Sequence, residues 1–411
     1  MTTETPRIDI LGERAVRDPY GAFAPLRRDS PVVWDPQYRS WLITRHRDVS
    51  AALRDDRFSS DRIAPFIERK LSEPGTDPLV RQAFEVLRNW MVFQDKPSHL
   101  RLRGLVSRAF TPRAVSRMRD RAAELCTELL AGIGNRDEFD LIAEVAYPLP
   151  AVVIAEMLGV PPEDRDTFKH WSDEVAPLVS AGLDDPDRYA RAAAAMDALV
   201  AYFSGLLRRY EAQPADNLIS GLIEARDADD TLTEAEVVAT CTLLLFGGHE
   251  TTANLIANSV LALLQHPDQL AALRDGEVDV RRAVEEFLRF DGPGKAVVRV
   301  MSEDVEFGGE LLRKGQRVFL VLAAANRDPE VFDDPDVLRL DRSHNPHVAF
   351  GFGAHHCLGA ALARLEAGVA VPILVAGLPG VRLAERPLRW QQVFLTRGLR
   401  ELWLSADGAT R

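Results

Sequence analysis

One uninterrupted helical stretch constrains this chain more than any other feature. Thr233-Glu-Ala-Glu236 is a Thr-x-x-Glu capping box, in which each end satisfies a backbone donor of the first turn, and the helical pattern runs from it to His266-Pro267. That is roughly 30 residues, or about 45 Å at 1.5 Å per residue, enough to cross a whole molecule. Such a helix must lie centrally.

The segments Ala122 to Gly134, Tyr189 to Tyr210, Asp279 to Arg289 and Leu358 to Ala370 also carry apolar residues at three- and four-residue spacing and are read as helices. Strand signals are confined to Val32 to Thr44, Val297 to Val321 and Leu388 to Leu404. The pattern therefore predicts a mainly α fold with small peripheral β-sheets. Length alone, 411 residues, would suggest two or three domains. No Gly/Ser- or Pro-rich linker divides the chain, so residues 1–411 are expected to form a single domain, with the first ~15 residues flexible.

A net charge of -12 favours solubility and argues against a nucleic-acid surface, which would show a basic excess. Cys126, Cys241 and Cys357 are too few and too widely spaced for a disulfide framework or a zinc cluster, which fits a reducing cytoplasm. The N-terminal MTTETPRIDILGER lacks the apolar core of a signal peptide, and no run approaches the about 20 apolar residues of a membrane span. The expectation is a cytoplasmic protein with no membrane or nucleic-acid partner.

The most informative string is FGFGAHHCLGAALARLE, Phe350 to Glu366. Gly351 and Gly353 permit positive φ and a close approach of backbone to a flat ligand, while Cys357 stands where a helix begins. Partial positive charge and unpaired N–H groups at a helix N-terminus favour the thiolate, the form that binds metal. A lone cysteine beside Leu358 is otherwise read as a small buried residue. The string resembles the haem-binding loop of the cytochrome P-450 family, Phe-Gly-x-Gly-x-His-x-Cys-x-Gly, at Phe350, Gly351, Gly353, His355, Cys357 and Gly359. The resemblance implies that Cys357 is the axial ligand of haem iron, that Phe350 shields the sulfur and that His355 reaches a haem propionate. His356 falls at a variable position and receives no role.

Within the long helix lies Gly247-Gly248-His249-Glu250-Thr251-Thr252. Glycines inside a helix cost about 1 kcal/mol each relative to Ala, so small residues or a local opening are required there, for a ligand or for a neighbouring helix. The string is similar to the family's oxygen-activation motif, which implies that Glu250 and Thr251 form an acid-alcohol pair and that Gly248 lies against the cofactor.

Glu286 and Arg289, three apart, would alone mean a surface ion pair. They resemble the family's Glu-x-x-Arg signature, which joins a later Arg in a buried network supporting the cysteine loop. His99 and Arg103, four apart, share one helical face suited to an anion, or simply form a solvated basic face. They are similar to the family's propionate site, as is Arg299. Together with Asn326-Arg-Asp-Pro329 these matches follow the family's order along nearly the whole chain.

The resemblance implies a soluble haem-thiolate monooxygenase carrying haem b (iron protoporphyrin IX), which inserts one oxygen atom of O2 into a small-molecule substrate. Only about 45 residues follow the cysteine string and none binds flavin, so a separate ferredoxin and its NAD(P)H-dependent ferredoxin reductase are implied as electron donors. Arg101, Arg108, Arg113 and Arg364 are candidates for a basic docking patch, or are solvated arginines. A monomer is expected. The substrate pocket is expected to involve Val92, Leu244, Gly247, Lys295, Val297 and Phe394. Lys295 would face an anionic group on the substrate, or else a propionate or solvent. A peroxide-driven peroxygenase or a non-catalytic haem sensor are the alternatives, and the Glu250–Thr251 pair argues against both.

Overall fold

The protein is described by a computed structural model covering residues 9–68, 75, 77–134, 136–180, 188–228 and 232–405. It resolves into two compact units. The first comprises residues 1–58, 119–149 and 251–411, the second residues 59–118 and 150–250. The chain thus passes from one to the other after Phe58, Met118, Leu149 and Glu250.

The long helix is Glu234–Gln265, and its capping box forms as the sequence predicts. Thr233 N donates to Glu236 Oε2 at 2.9 Å, and Glu236 N donates to Thr233 Oγ1 at 3.2 Å. The helix is unbroken α, so of the two readings of its glycine pair, small residues or a local opening, the first holds. Residues 237–245 and 252–263 are buried on all sides, as befits a helix apolar all round. Between them Gly247 is exposed, and Phe246, Gly248, Glu250 and Thr251 are half-buried.

The other expected helices are present with shifted ends: Pro112–Ile133, Arg188–Ala212, Val280–Asp291 and Ala360–Gly377. Asp279 caps the third by accepting from Arg281 N at 2.8 Å. Two helical stretches, Tyr189–Ala212 and Ala360–Gly377, are apolar and long enough for a membrane span, each with about half of that length buried inside the protein. Charged residues such as Asp197 and Glu366 interrupt them, so neither reads as an uninterrupted apolar run in the sequence.

The two distant strand-rich stretches meet in the first unit. Val32–Asp35, Ser40–Ile43, Arg317–Leu320 and Val297–Met301 lie side by side in that order. Ser40–Ile43 pairs in parallel with Arg317–Leu320, and Val297–Met301 pairs antiparallel to it with Arg299 opposite Val318. A second sheet places Trp403–Ser405 between Glu138–Asp140 and Arg382–Leu383. Of the first 15 residues, 1–8 lie outside the described residues, while Ile10 is buried in the cluster around Phe23 and Phe319 and a helix begins at Glu13.

Candidate active site

Cys126 and Cys241 are buried, and loss of hydration pushes their thiols up to about 11 and about 12. Cys357 is exposed. Its loop is a series of tight turns: Gly351 N donates to Val348 O at 2.9 Å, His356 N to Gly353 O at 3.1 Å and Cys357 N to Phe350 O at 2.9 Å. Gly351 and Gly353 take φ of 68° and 73°, as their positions in the string suggest. A Cβ on Gly353 would also lie 3.0 Å from the Leu53 carbonyl oxygen. Gly359 caps Ala360–Gly377, so Cys357 precedes the first turn of that helix by three residues, within reach of its positive end.

Around this loop, Phe350 is half-buried, with the Arg364 guanidinium carbon 4.5 Å from its ring centre. His355 is half-buried as well. The Glu-x-x-Arg pair is buried completely. Glu286 accepts from Arg289 at 2.7 Å through both oxygens, and its later partner is Arg342, whose Nε donates to Glu286 Oε2 at 3.0 Å. Asn345 Nδ2 and Arg339 N complete the carboxylate's bonds at 3.2 and 2.9 Å. Arg289 in turn donates to the carbonyls of Asn326, Pro335 and Val337. Asn326, from the Asn-Arg-Asp-Pro string, accepts from Val348 N at 2.8 Å and so connects this network to the cysteine loop.

A second network on the same helix escaped the sequence reading. Glu285 accepts from Arg364 at 2.6 and 2.9 Å and from His347 Nε2 at 3.0 Å. Partial burial opposes ionisation, but these donors outweigh it and hold the Glu285 carboxyl down to about 2. Its spacing from Arg364, 79 residues, leaves no local signal. Arg364 is thereby paired, as is Arg101 with Glu236. Of the four arginines considered for a docking patch, Arg108 and Arg113 are exposed.

Elsewhere in the first unit, Arg299 is buried, and Val297 is half-buried against the cluster that holds Leu322 and Val348. Phe394 is buried, its ring 4.8 Å from that of Phe319 and 6.2 Å from that of Phe23. Lys295 is buried too, and the loss of hydration together with Arg397 pushes its amine down to about 7, against the attraction of Asp291.

In the second unit the glycine pair divides its labour. A Cβ on Gly248 would come within 2.9 Å of Ile154 Cγ1, so this glycine admits a neighbouring helix, whereas Gly247 has open space where its Cβ would be. Glu250, half-buried, has its carboxyl raised by burial and by the negative charge of Asp173. Leu244 is buried and Val92 exposed. His99 is buried and Arg103 half-buried on the helix Ser98–Ala109.

The family model that matches this chain is Cytochrome P-450, over residues 66–376. The chain belongs to the cytochrome P-450 family. Similar proteins include the biotin biosynthesis cytochrome P-450 of Bacillus subtilis, 38% identical over 94% of this chain and 96% of that one. Nocardicin C N-oxygenase of Nocardia uniformis is 42% identical, covering 98% and 99% of the two chains. Among solved structures, CalO2 superposes with a TM-score of 0.91 at 34% identity, over 99% of this chain and 100% of that one. As a cytochrome P-450 the protein is a monooxygenase, an oxidoreductase whose family implies haem iron. The donor set fits such a group: one exposed sulfur close to a helix N-terminus, on a loop turned by Gly351 and Gly353 at positive φ.

Proposed function

We propose that residues 1–411 form one cytoplasmic, monomeric haem domain that oxidises a small organic molecule with electrons from a separate ferredoxin and NAD(P)H-dependent reductase. In this reading Cys357 holds the iron of haem b, with Phe350 and Gly359 beside the sulfur. His99, Arg103, Arg299 and His355 hold the propionates, and the Gly248 backbone lies against the cofactor while its open side admits Ile154. When bound, the haem supplies the oxidising chemistry, and the electron-donating thiolate favours O–O cleavage.

The remaining work falls to the chain. The Glu250 carboxyl, raised by burial and by Asp173, retains a proton more readily than an exposed carboxylate and passes it toward Thr251 Oγ1. Glu286 and Arg289 hold the loop in shape. Val92, Leu244, Gly247, Lys295, Val297 and Phe394 are the proposed substrate contacts, with Phe394 acting from its buried place behind the Lys295 segment.

The observation that carries this reading is the exposed Cys357 on its glycine-turned loop, beside two cysteines that are buried. Its test is the absorption spectrum of dithionite-reduced protein under carbon monoxide, beside that of Cys357→His. A strongly red-shifted Soret band, lost in the variant, is expected. A wild-type band like that of histidine-ligated haem, or the absence of haem, overturns it.

A further inference from the structure

Lys295 is 2% exposed, and its backbone is pinned from two directions. Its N–H donates to Leu395 O at 2.9 Å and its carbonyl accepts from Ala323 N at 3.0 Å. The amine makes no hydrogen bond or ion pair among the described residues, and the charges that act on it are Arg397 and Asp291. Asp291 is already engaged: its Oδ1 accepts from Tyr20 Oη at 2.5 Å and from Arg397 Nε at 2.6 Å. Arg327, the next cation, is paired with Asp336 at 2.9 Å. Protonated Lys295 and Arg397 therefore face a single carboxylate, which leaves one positive charge in surplus. A buried ammonium without a partner is costly, and such a group is retained where an anion can meet it.

We propose that Lys295 determines substrate specificity by pairing its ammonium with the carboxylate of an otherwise apolar organic acid. This rests on the proposed assignment of residues 295–297 to the substrate pocket. The apolar requirement follows from the neighbours: Ala296 and Phe394 are buried and Leu395 and Val297 half-buried. A haem propionate is a carboxylate too. His99, Arg103, Arg299 and His355 already supply cationic or donor groups for two propionates in the proposed reading, so the substrate is the source assigned here.

Pairing restores the proton that burial disfavours. Acid binding is therefore strongest between about pH 5, above which the acid is ionised, and about pH 7, and weakens about tenfold per pH unit above that, while a neutral ester is indifferent. Burial and Asp291 push the Tyr20 hydroxyl further up, out of this range.

The test uses the haem-loaded protein and a panel of aliphatic and aryl carboxylic acids with their methyl esters, read by the Soret shift on binding. Preference for the acids on the order of tenfold to a hundredfold is expected in the wild type, lost in Lys295→Met. Haem content and the carbon monoxide band should be the same in both proteins. Esters binding as well as acids, acid binding that does not weaken above pH 7, or no Soret response to any acid would overturn the proposal. A lowered haem content in Lys295→Met, with the acid preference retained by the fraction that keeps haem, would assign the amine to a propionate instead. If Lys295→Met does not fold, the wild-type pH profile decides alone. Failure of the carbon monoxide test would remove the underlying haem-thiolate reading, a different result from any of these.

Discussion

Glu286→Gln isolates the charge at the centre of the cysteine-loop support. The carboxylate has five donors within 3.2 Å, two of them on Arg289, which is fully buried, and one on Arg342, which is nearly so. Gln keeps the volume but leaves two buried guanidinium groups without a counter-charge. Breaking a buried pair in this way costs about 3–5 kcal/mol. Unfolding entropy is about 2.1 cal/mol/K per residue, so in a single cooperative transition of 411 residues each kcal/mol moves Tm by about 1.2 °C. Thermal melting should show Tm lowered by about 4–6 °C, and the carbon monoxide band of the haem-thiolate should be lost below the global transition, because Val348 is tied to this network through Asn326. Glu285→Gln is the control: its side chain and that of Arg364 are 31% and 37% exposed, and about 1 kcal/mol is expected. Equal effects of the two substitutions would refute the argument that burial sets the magnitude.

Three further outcomes follow from the geometry. Gly353→Ala places a side chain at φ 73° and 3.0 Å from a backbone oxygen, so about 1–3 kcal/mol of stability and the integrity of the Cys357 loop should be lost; a carbon monoxide spectrum of normal intensity would count against it. Gly248→Ala should destabilise through its contact with Ile154 Cγ1, be less costly in an Ile154→Ala background that removes that atom, and exceed Gly247→Ala, all checked by chemical denaturation. Glu366 is fully buried with neither oxygen hydrogen-bonded among the described residues, and burial raises its carboxyl well above the ordinary value. The native state then holds a proton that the unfolded state has lost, so this group's contribution falls as pH rises above the unfolded carboxylate range. Glu366→Gln should flatten the decline in stability between about pH 5 and about pH 8, and an unchanged slope would sink the idea.

The sequence was most legible where chemistry is local. The capping box at Thr233 and Glu236 fixes a helix start from four residues, and Gly351 and Gly353 announce positive φ by identity alone. Pairings between remote segments were hidden, because the parallel match of Ser40–Ile43 with Arg317–Leu320 is set by tertiary packing and the bridge from Glu285 to Arg364 by a helix crossing. Arg342, the unnamed third member of the Glu286 network, could not be told by identity from the neighbouring Arg339. The role of Gly248 was half legible: the cost of a helical glycine signalled close approach, but only the position of Ile154 identifies what approaches.

The bonding pattern also explains why the cysteine string mixes fixed and free positions. From Glu286 the support runs through the Arg289 guanidinium to the Asn326 carbonyl, then from Asn326 Oδ1 to Val348 N, from Val348 O to Gly351 N and from Phe350 O to Cys357 N. Beyond Asn326 each of these bonds ends on backbone, which every residue supplies. These bonds do not depend on the side chains at 354 and 356, although the His356 ring lies 6.2 Å from that of Phe350. Glycine at 351 and 353 is required by φ, and Phe350 is required as the ring beneath Arg364, which Glu285 fixes in turn. The sulfur is thus placed from two sides by buried or half-buried charge on one helix, Val280–Asp291. In the proposed reading, in which Cys357 binds iron, this support is what fixes the orientation of the sulfur.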